Sequence, residues 1–234
     1  MESKTRQTLA EIHSVCGVDE AGRGPALGPL VVAGVKVKDD SILTTLNVRD
    51  SKKCTPAQRE RLAEEIKKIA EYKVVMISAD EIDTARKTMT LNKLEANKFA
   101  EIIRALKPNI VFVDAADTNE MTFKSDILVN IDFPIELTST HYADELFPVV
   151  SAASIIAKTT RDAEIRKIEQ QIGEPIGSGY PSDPVTISFL ENWVKKNNTL
   201  PPHTRHSWET VDRIVKQNTE RNKKIDQFQN NVKH

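Results

Sequence analysis

The stretch Gly17-Val18-Asp19-Glu20-Ala21-Gly22-Arg23-Gly24-Pro25 constrains this chain more than any other. A short apolar run, residues 15–18, closes on two adjacent carboxylates, and an arginine framed by two glycines follows at once. Short β-branched runs divided by glycine and proline read as strands, so residues 15–19 and 30–37 are expected to be strands with a tight turn between them. Carboxylates at a strand end can hold a hard divalent cation through oxygen. Glycines let backbone N–H groups approach a phosphate, because nothing bulky stands in the way. Metal-holding acids beside a phosphate-holding loop point to phosphodiester chemistry.

Further along, Thr55-Pro56-Ala57-Gln58 predicts a helix start, with Thr55 at N-cap, Pro56 at N1 and Gln58 completing a capping box. Strands are expected at 73–79, 109–114 and, more weakly, 133–137; helices are expected at 90–106, 149–172 and 184–196. Residues 173–183 form a loop punctuated by glycine and proline, and Ser207 is expected to cap a last helix that dissolves into a polar tail. Strands interleaved with helices predict an α/β domain. We divide the chain into a polar N-terminal extension (1–12), a catalytic domain (13–183) and a C-terminal helical extension (184–234).

Four acids stand out: Asp19 and Glu20, Asp114 at the end of a buried-strand run, and Asp144 just before a helix. Each alone reads as a turn residue or cap, and Asp144 most readily so. Together they gather at one edge of an α/β sheet, where ligands bind, and carboxylates converging there repel one another unless cations neutralise them. Neighbours on a strand point to opposite faces, so Asp19 and Glu20 share a metal only if the strand has ended by Glu20. Ser51 and Lys52, ahead of the Thr55 helix, are candidates for phosphate contact, and the loop residue Tyr180 for stacking on a sugar or base.

Other chemistries lose ground. The glycine loop lacks the lysine and Ser/Thr of a Walker loop. His141, His203 and His206 share no zinc spacing, and Ser151 and Ser154 have no nucleophile elbow. A formal net charge of −1 argues against a polycation that coats nucleic acid. The polar start carries no apolar signal core, no run is long enough to span a membrane, and two cysteines make no framework. A cytoplasmic monomer without membrane contact is expected.

These motifs resemble the signature blocks of ribonuclease HII, the type 2 ribonuclease H. Residues 17–25 are similar to its first block, Asp50-Ser51-Lys52-Lys53 to its second, and Asp114 to its strand-end aspartate. Asp144 with residues 148–158 resembles the next block, and residues 177–184 the archaeal form of the tyrosine loop. The resemblance runs in order from about Gly17 to Trp208. It implies a ribonuclease H-like fold, a mixed five-stranded sheet flanked by helices with a helical C-terminal extension. It implies endonucleolytic cleavage of the RNA strand of RNA–DNA hybrids, and at ribonucleotides embedded in duplex DNA, by two Mg2+ or Mn2+ ions, leaving 5′-phosphate and 3′-hydroxyl ends.

By that resemblance Asp19, Glu20, Asp114 and Asp144 are the catalytic metal ligands. Gly22, Arg23 and Gly24 read the ribose 2′-hydroxyl, Tyr180 senses the RNA-to-DNA junction, and Ser51 and Lys52 contact backbone phosphate. Archaeal relatives often carry a lysine where Tyr142 stands and a basic residue near Leu146. Ile225 and Phe228 are similar to part of a sliding-clamp peptide, although Asn222 and Gln229 depart from it and a plain helix end fits better. Another nuclease of the same fold, a non-catalytic hybrid-binding module and a kinase stay open as alternatives.

Overall fold

The computed structural model describes residues 14–48 and 54–232, with side chains described to residue 223. Five strands, β1 (Val15–Ala21), β2 (Leu30–Val37), β3 (Glu71–Ile77), β4 (Ile110–Asp114) and β5 (Glu136–Thr140), form one sheet in the order β3-β2-β1-β4-β5. β1 pairs antiparallel with β2, and β2 with β3; β4 runs parallel to both β1 and β5. The sheet is therefore mixed, as expected. Parallel neighbours need crossovers, and helices supply them.

Those helices are α1 (Ser41–Thr44), α2 (Pro56–Ile69), α3 (Ala79–Ala85), α4 (Leu91–Leu106), α5 (Glu120–Leu128), α6 (Ala143–Leu146), α7 (Pro148–Ile172), α8 (Pro184–Asn197) and α9 (Glu209–Val232). Side chains alternate across a strand, which separates two cores. Cys16 and Val18 of β1 and Leu30 and Val32 of β2 meet Phe99, Ile102 and Ile103 of α4 and Phe123 of α5 on one face. Val31, Ala33 and Val35 meet Leu62 and Ile66 of α2 and Val149, Ala152 and Ala153 of α7 on the other. Phe99 and Phe123 pack edge to face, with centroids 5.2 Å apart, a geometry worth about 1 kcal/mol beyond burial.

Gly17 lets α7 lie against β1. A Cβ there would stand 2.3 Å from the carbonyl carbon of Val149, inside the helix backbone. A third apolar cluster joins Ala26 and Leu27 after β1, Ile165 and Ile168 of α7, Phe189 and Leu190 of α8, and Val211 and Ile214 of α9. The C-terminal helices are thereby fastened to the glycine loop as well as to α7. No described helix is long and apolar enough to cross a membrane.

The Thr55 capping box is present: Gln58 N–H donates to Thr55 Oγ1 at 3.3 Å and Thr55 N–H to Gln58 Oε1 at 2.8 Å. Asp183 likewise caps α8, accepting from Val185 N–H at 2.9 Å. Several boundaries differ. β3 stops at Ile77 because Ser78 and Glu81 form a second capping box that opens α3, a helix not anticipated. β5 lies at 136–140 rather than 133–137, since its Ser/Thr-rich stretch is held by pairing with β4 while Phe133 and Ile135 pack against the core from the preceding loop. α5 was also not anticipated; it starts where Asn119 Oδ1 accepts from the Met121 and Thr122 N–H groups. Ser207 does not cap α9. Its hydroxyl donates to Asp83 at 2.6 Å, and the Trp208 carbonyl accepts from the first turn of a helix that continues to Val232.

Candidate active site

β1 does not end at Asp19, the condition for Asp19 and Glu20 to share a metal, but runs to Ala21 with Glu20 opposite Val32. The two acids consequently leave the strand on opposite faces. Asp19 shares the α7 face with Gly17 and is 6% exposed. The Val18–Val113 pair sets β4 level with β1, so Asp114, one residue on, stands beside Asp19 and on the same face. Asp144 comes from α6, entered through Tyr142 in the left-handed region at φ 58°. That turn aims the backbone N–H groups of Tyr142 and Ala143 at the Asp114 carboxylate.

Oxygen atoms of Asp19, Asp114 and Asp144 all lie within 4.8 Å of one another. Burial is the main reason that the Asp19 carboxyl is pushed from 3.8 up to about 6, and the Asp114 charge adds to it; the Ser154 hydroxyl and Lys158 pull the other way. Asp114 is raised too, by burial and then by the charge of Asp144. Glu20 is not among the three converging carboxylates, yet it feels them: burial first, then Asp19 and Asp114, raise it well above the ordinary value, against the pull of Arg23. Its Oε2 is buried without a hydrogen-bond partner.

Such a group is electrostatically incomplete. Crowded carboxylates on rigid strands cannot relax apart, and a buried acceptor lacks a donor. An all-oxygen donor set of this kind suits a hard divalent cation. Lys158 Nζ donates to Ser154 Oγ at 2.7 Å, which fixes the hydroxyl beside Asp19.

The loop after β1 turns at Gly22, whose φ is +88° and whose Cβ, if present, would meet the Arg161 side chain at 2.4 Å. Arg23 is turned inward. Its guanidinium pairs with the fully buried Glu95 of α4 and donates to Asn92 Oδ1 at 2.6 Å, and Asn92 in turn donates to Asp117. The Tyr180 ring faces Gly24, and the Arg161 guanidinium lies over it, 5.1 Å from its centroid. The residue is 38% exposed. Ser51 and Lys52, with Asp50 and Lys53, fall outside the described residues, as does the 1–12 extension.

Tyr142 and Leu146 are both exposed beside Asp144. His141, read as a surface or supporting residue, lies near enough to Asp114 for its charge to lower that carboxyl. The sequence did not single out Glu95, Arg161, Arg205 or Trp208. Glu95 sits among apolar residues of an amphipathic helix with no mark of burial, and Arg205 lies in a polar loop whose only unusual neighbour is Trp208.

A helix-flanked mixed sheet with a carboxylate cluster drawn from two neighbouring parallel strands and the short helix after β5 defines a metal-dependent nuclease of the ribonuclease H class. The comparisons make this specific: the chain belongs to the ribonuclease HII family, whose model matches residues 16–211. Ribonuclease HII of Methanoregula boonei is 46% identical over 206 residues, covering 88% of this chain and 96% of that protein. The crystal structure of ribonuclease H2 from Pyrococcus horikoshii OT3 matches with a TM-score of 0.82 at 41% identity, over 88% of this chain and 99% of the other. The ribonuclease HII in a complex with PCNA from Archaeoglobus fulgidus matches at 0.80 and 40% identity, over 86% and 96%. The chain is thus a hydrolase, a metal-dependent endoribonuclease acting on RNA–DNA hybrids.

Proposed function

We propose that this enzyme also cleaves at single ribonucleotides embedded in duplex DNA, with Asp19, Glu20, Asp114 and Asp144 holding two Mg2+ or Mn2+ ions. The observation that carries this reading is the convergence of Asp19, Asp114 and Asp144 next to the Gly22-Arg23-Gly24 turn. The pair of cations would supply an activated water for in-line attack on phosphorus and neutralise charge on the departing 3′ oxygen, leaving 5′-phosphate and 3′-hydroxyl ends.

The chain's own residues do the rest. Asp19, held by Ser154 from α7, presents its carboxylate to the shared space, while Asp114 and Asp144 close it from β4 and α6. Glu20 leaves β1 on the other face, so in our reading it serves an ion not shared with Asp19, with its unpartnered Oε2 as the donor. Discrimination against DNA requires a contact to the 2′-hydroxyl, the one group DNA lacks. The backbone of Gly22, Arg23 and Gly24 makes that contact in our reading, Tyr180 stacks on the sugar that follows, and Ser51 and Lys52 hold backbone phosphate. We further propose a cytoplasmic monomer whose C-terminal tail touches a sliding clamp, on the precedent of the Archaeoglobus fulgidus complex.

The test is cleavage-site mapping on three substrates: a duplex with one ribonucleotide, the all-DNA duplex, and an all-DNA four-way junction. We expect one Mg2+-dependent cut at the ribonucleotide, abolished by chelator, with both DNA substrates intact. Cutting of the junction, or binding without any cut, refutes the proposal in favour of a resolvase or a binding module.

A further inference from the structure

Behind the glycine turn lies a buried cation that the chemistry above does not use. Arg205 is the largest fully buried side chain among the described residues. Its guanidinium donates through Nη2 to the Gly22 carbonyl at 2.6 Å, through Nη1 to the Arg23 carbonyl at 2.9 Å and through Nε to the Gly28 carbonyl at 3.0 Å. Trp208 Nε1–H donates to the next carbonyl, that of Gly24, at 3.0 Å. Three consecutive carbonyls are therefore gripped from one side.

A trans peptide plane places the carbonyl of one residue and the N–H of the next on opposite sides. Gripping the Gly22 and Arg23 carbonyls therefore turns the N–H groups of Arg23 and Gly24 away from Arg205. Pro25, having no N–H, adds no donor to the third plane. Among the described residues, none accepts a hydrogen bond from the N–H of Gly22, Arg23 or Gly24. The turn is a row of free donors backed by a row of occupied acceptors.

The grip is itself braced. Arg205 N–H donates to the Ala26 carbonyl at 2.8 Å, and Asp83 of α3 accepts from the N–H groups of His206 and Ser207 at 2.7 and 3.0 Å. The Arg86 and Arg205 guanidiniums both lie over the Trp208 ring, each 4.8 Å from its centroid. Arg161 ties the Leu27 and Ser178 carbonyls together at 3.4 and 3.0 Å, so the tyrosine loop belongs to the same assembly.

We infer that Arg205, assisted by Trp208, is a positioning residue that presents the Arg23 and Gly24 amides as a preset donor surface for the ribose 2′-hydroxyl. The inference rests on the proposed reading of this turn as the hydroxyl contact. A purely structural role explains less. Among the described residues no carboxylate forms an ion pair with Arg205, burial lowers its pKa to about 9, and the neighbouring Arg161 repels it. An apolar side chain would fill the same volume without that desolvation cost. The planar fork fits several fixed carbonyls at once, and fixing those carbonyls is what the turn needs.

The test measures affinity for a duplex with one ribonucleotide and for the matching all-DNA duplex, using full-length protein in Ca2+ to suppress cleavage. Arg205→Lys, which keeps the charge and loses the fork, is expected to lower the ratio of the two affinities about tenfold, the equivalent of one hydrogen bond, while affinity for all-DNA duplex stays unchanged. Trp208→Phe, which keeps an aromatic face and loses the indole N–H, is expected to shift the ratio the same way by a smaller factor, and it decides the matter if Arg205→Lys does not fold. An unchanged ratio in a folded variant, even with a lowered melting temperature, overturns the inference. Absence of any preference in the wild type would instead refute the hydroxyl-reading function beneath it.

Discussion

Asp19 and Asp114 stand level on neighbouring parallel strands, one residue beyond the paired Val18 and Val113, and their carboxylates meet on the face that α7 covers. Strand register, not loop conformation, sets their distance. Because the sheet fixes both backbones, the repulsion between them cannot be relieved by a local shift. The fold thus carries the cost of assembling charge before any cation arrives, which is how a preorganised site differs from one formed on binding.

Replacing one of these acids separates chemistry from recognition. Asp114→Asn keeps the shape of the strand end while removing a ligand charge. We expect cleavage of a hybrid to fall by at least about 10²- to 10³-fold, with hybrid affinity in Ca2+ nearly unchanged. Single-turnover cleavage and fluorescence anisotropy on the same preparation check this, and Mg2+-dependent turnover close to wild type contradicts it.

The raised carboxyls make metal-free stability depend on pH in an unusual direction. Asp19 titrates at about 6 in the fold against 3.8 ordinarily. A raised folded-state value gives stability that is complete below the unfolded value and is lost as pH rises through the folded one. In chelator, Asp19 therefore weakens the fold near neutral pH by about 3 kcal/mol, at about 1.36 kcal/mol per pH unit. Asp19→Asn should be more stable than wild type at neutral pH, with the gap closing towards about pH 4, and Mg2+ should raise the wild type more than the variant. Urea midpoints across that window decide it.

Gly17 is where β1 and α7 touch, and Gly17→Ala would drive a methyl to within 2.3 Å of the Val149 backbone. Overpacking of this kind costs about 1–3 kcal/mol. Displacing α7 also moves Ser154, which holds Asp19. Lower stability and slower cleavage are both expected, measured by denaturant unfolding and initial rates; a variant equal to wild type in both would show that the close approach is not required.

The Arg23–Glu95 pair carries a third stability prediction. Glu95 is fully buried and its Oε1 has no hydrogen-bond partner. Glu95→Ala removes the carboxylate facing Arg23, but Arg23 is half-buried and keeps its bond to Asn92, so the loss falls below the roughly 3 kcal/mol of a fully buried pair, at about 1–2 kcal/mol. Equilibrium unfolding should show that loss, with Glu95→Gln, which keeps an acceptor for Arg23, falling less.

Local chemistry made much of the molecule readable. The Thr55 capping box and β2 occur where the residues indicated, because caps and short β-branched apolar runs act within a few residues. Ser78 and Glu81 form the same motif as Thr55 and Gln58, but the apolar run before them was read straight through Ala79. β5 has little apolar alternation of its own and owes its place to pairing with β4. The acids were legible because Asp19 and Glu20 adjoin the glycine turn, Asp114 closes a buried strand and Asp144 stands just before a helix. The support behind them was not: Arg205 meets its carbonyl partners 177 to 183 residues away, a separation that no spacing rule reaches. Glu20 marks the border between the two, since its proximity to the cluster was readable and its departure on the other face of β1 was not.

Manganese binding tests the central claim most directly. Electron paramagnetic resonance titration of Mn2+ into the metal-free wild type, Asp19→Asn and Asp114→Asn reports bound ion without any need for turnover. We expect saturable binding in the wild type, loss of affinity in both variants, and displacement of Mn2+ by Mg2+. Identical titration curves for all three proteins would show that the converging carboxylates are not the metal site.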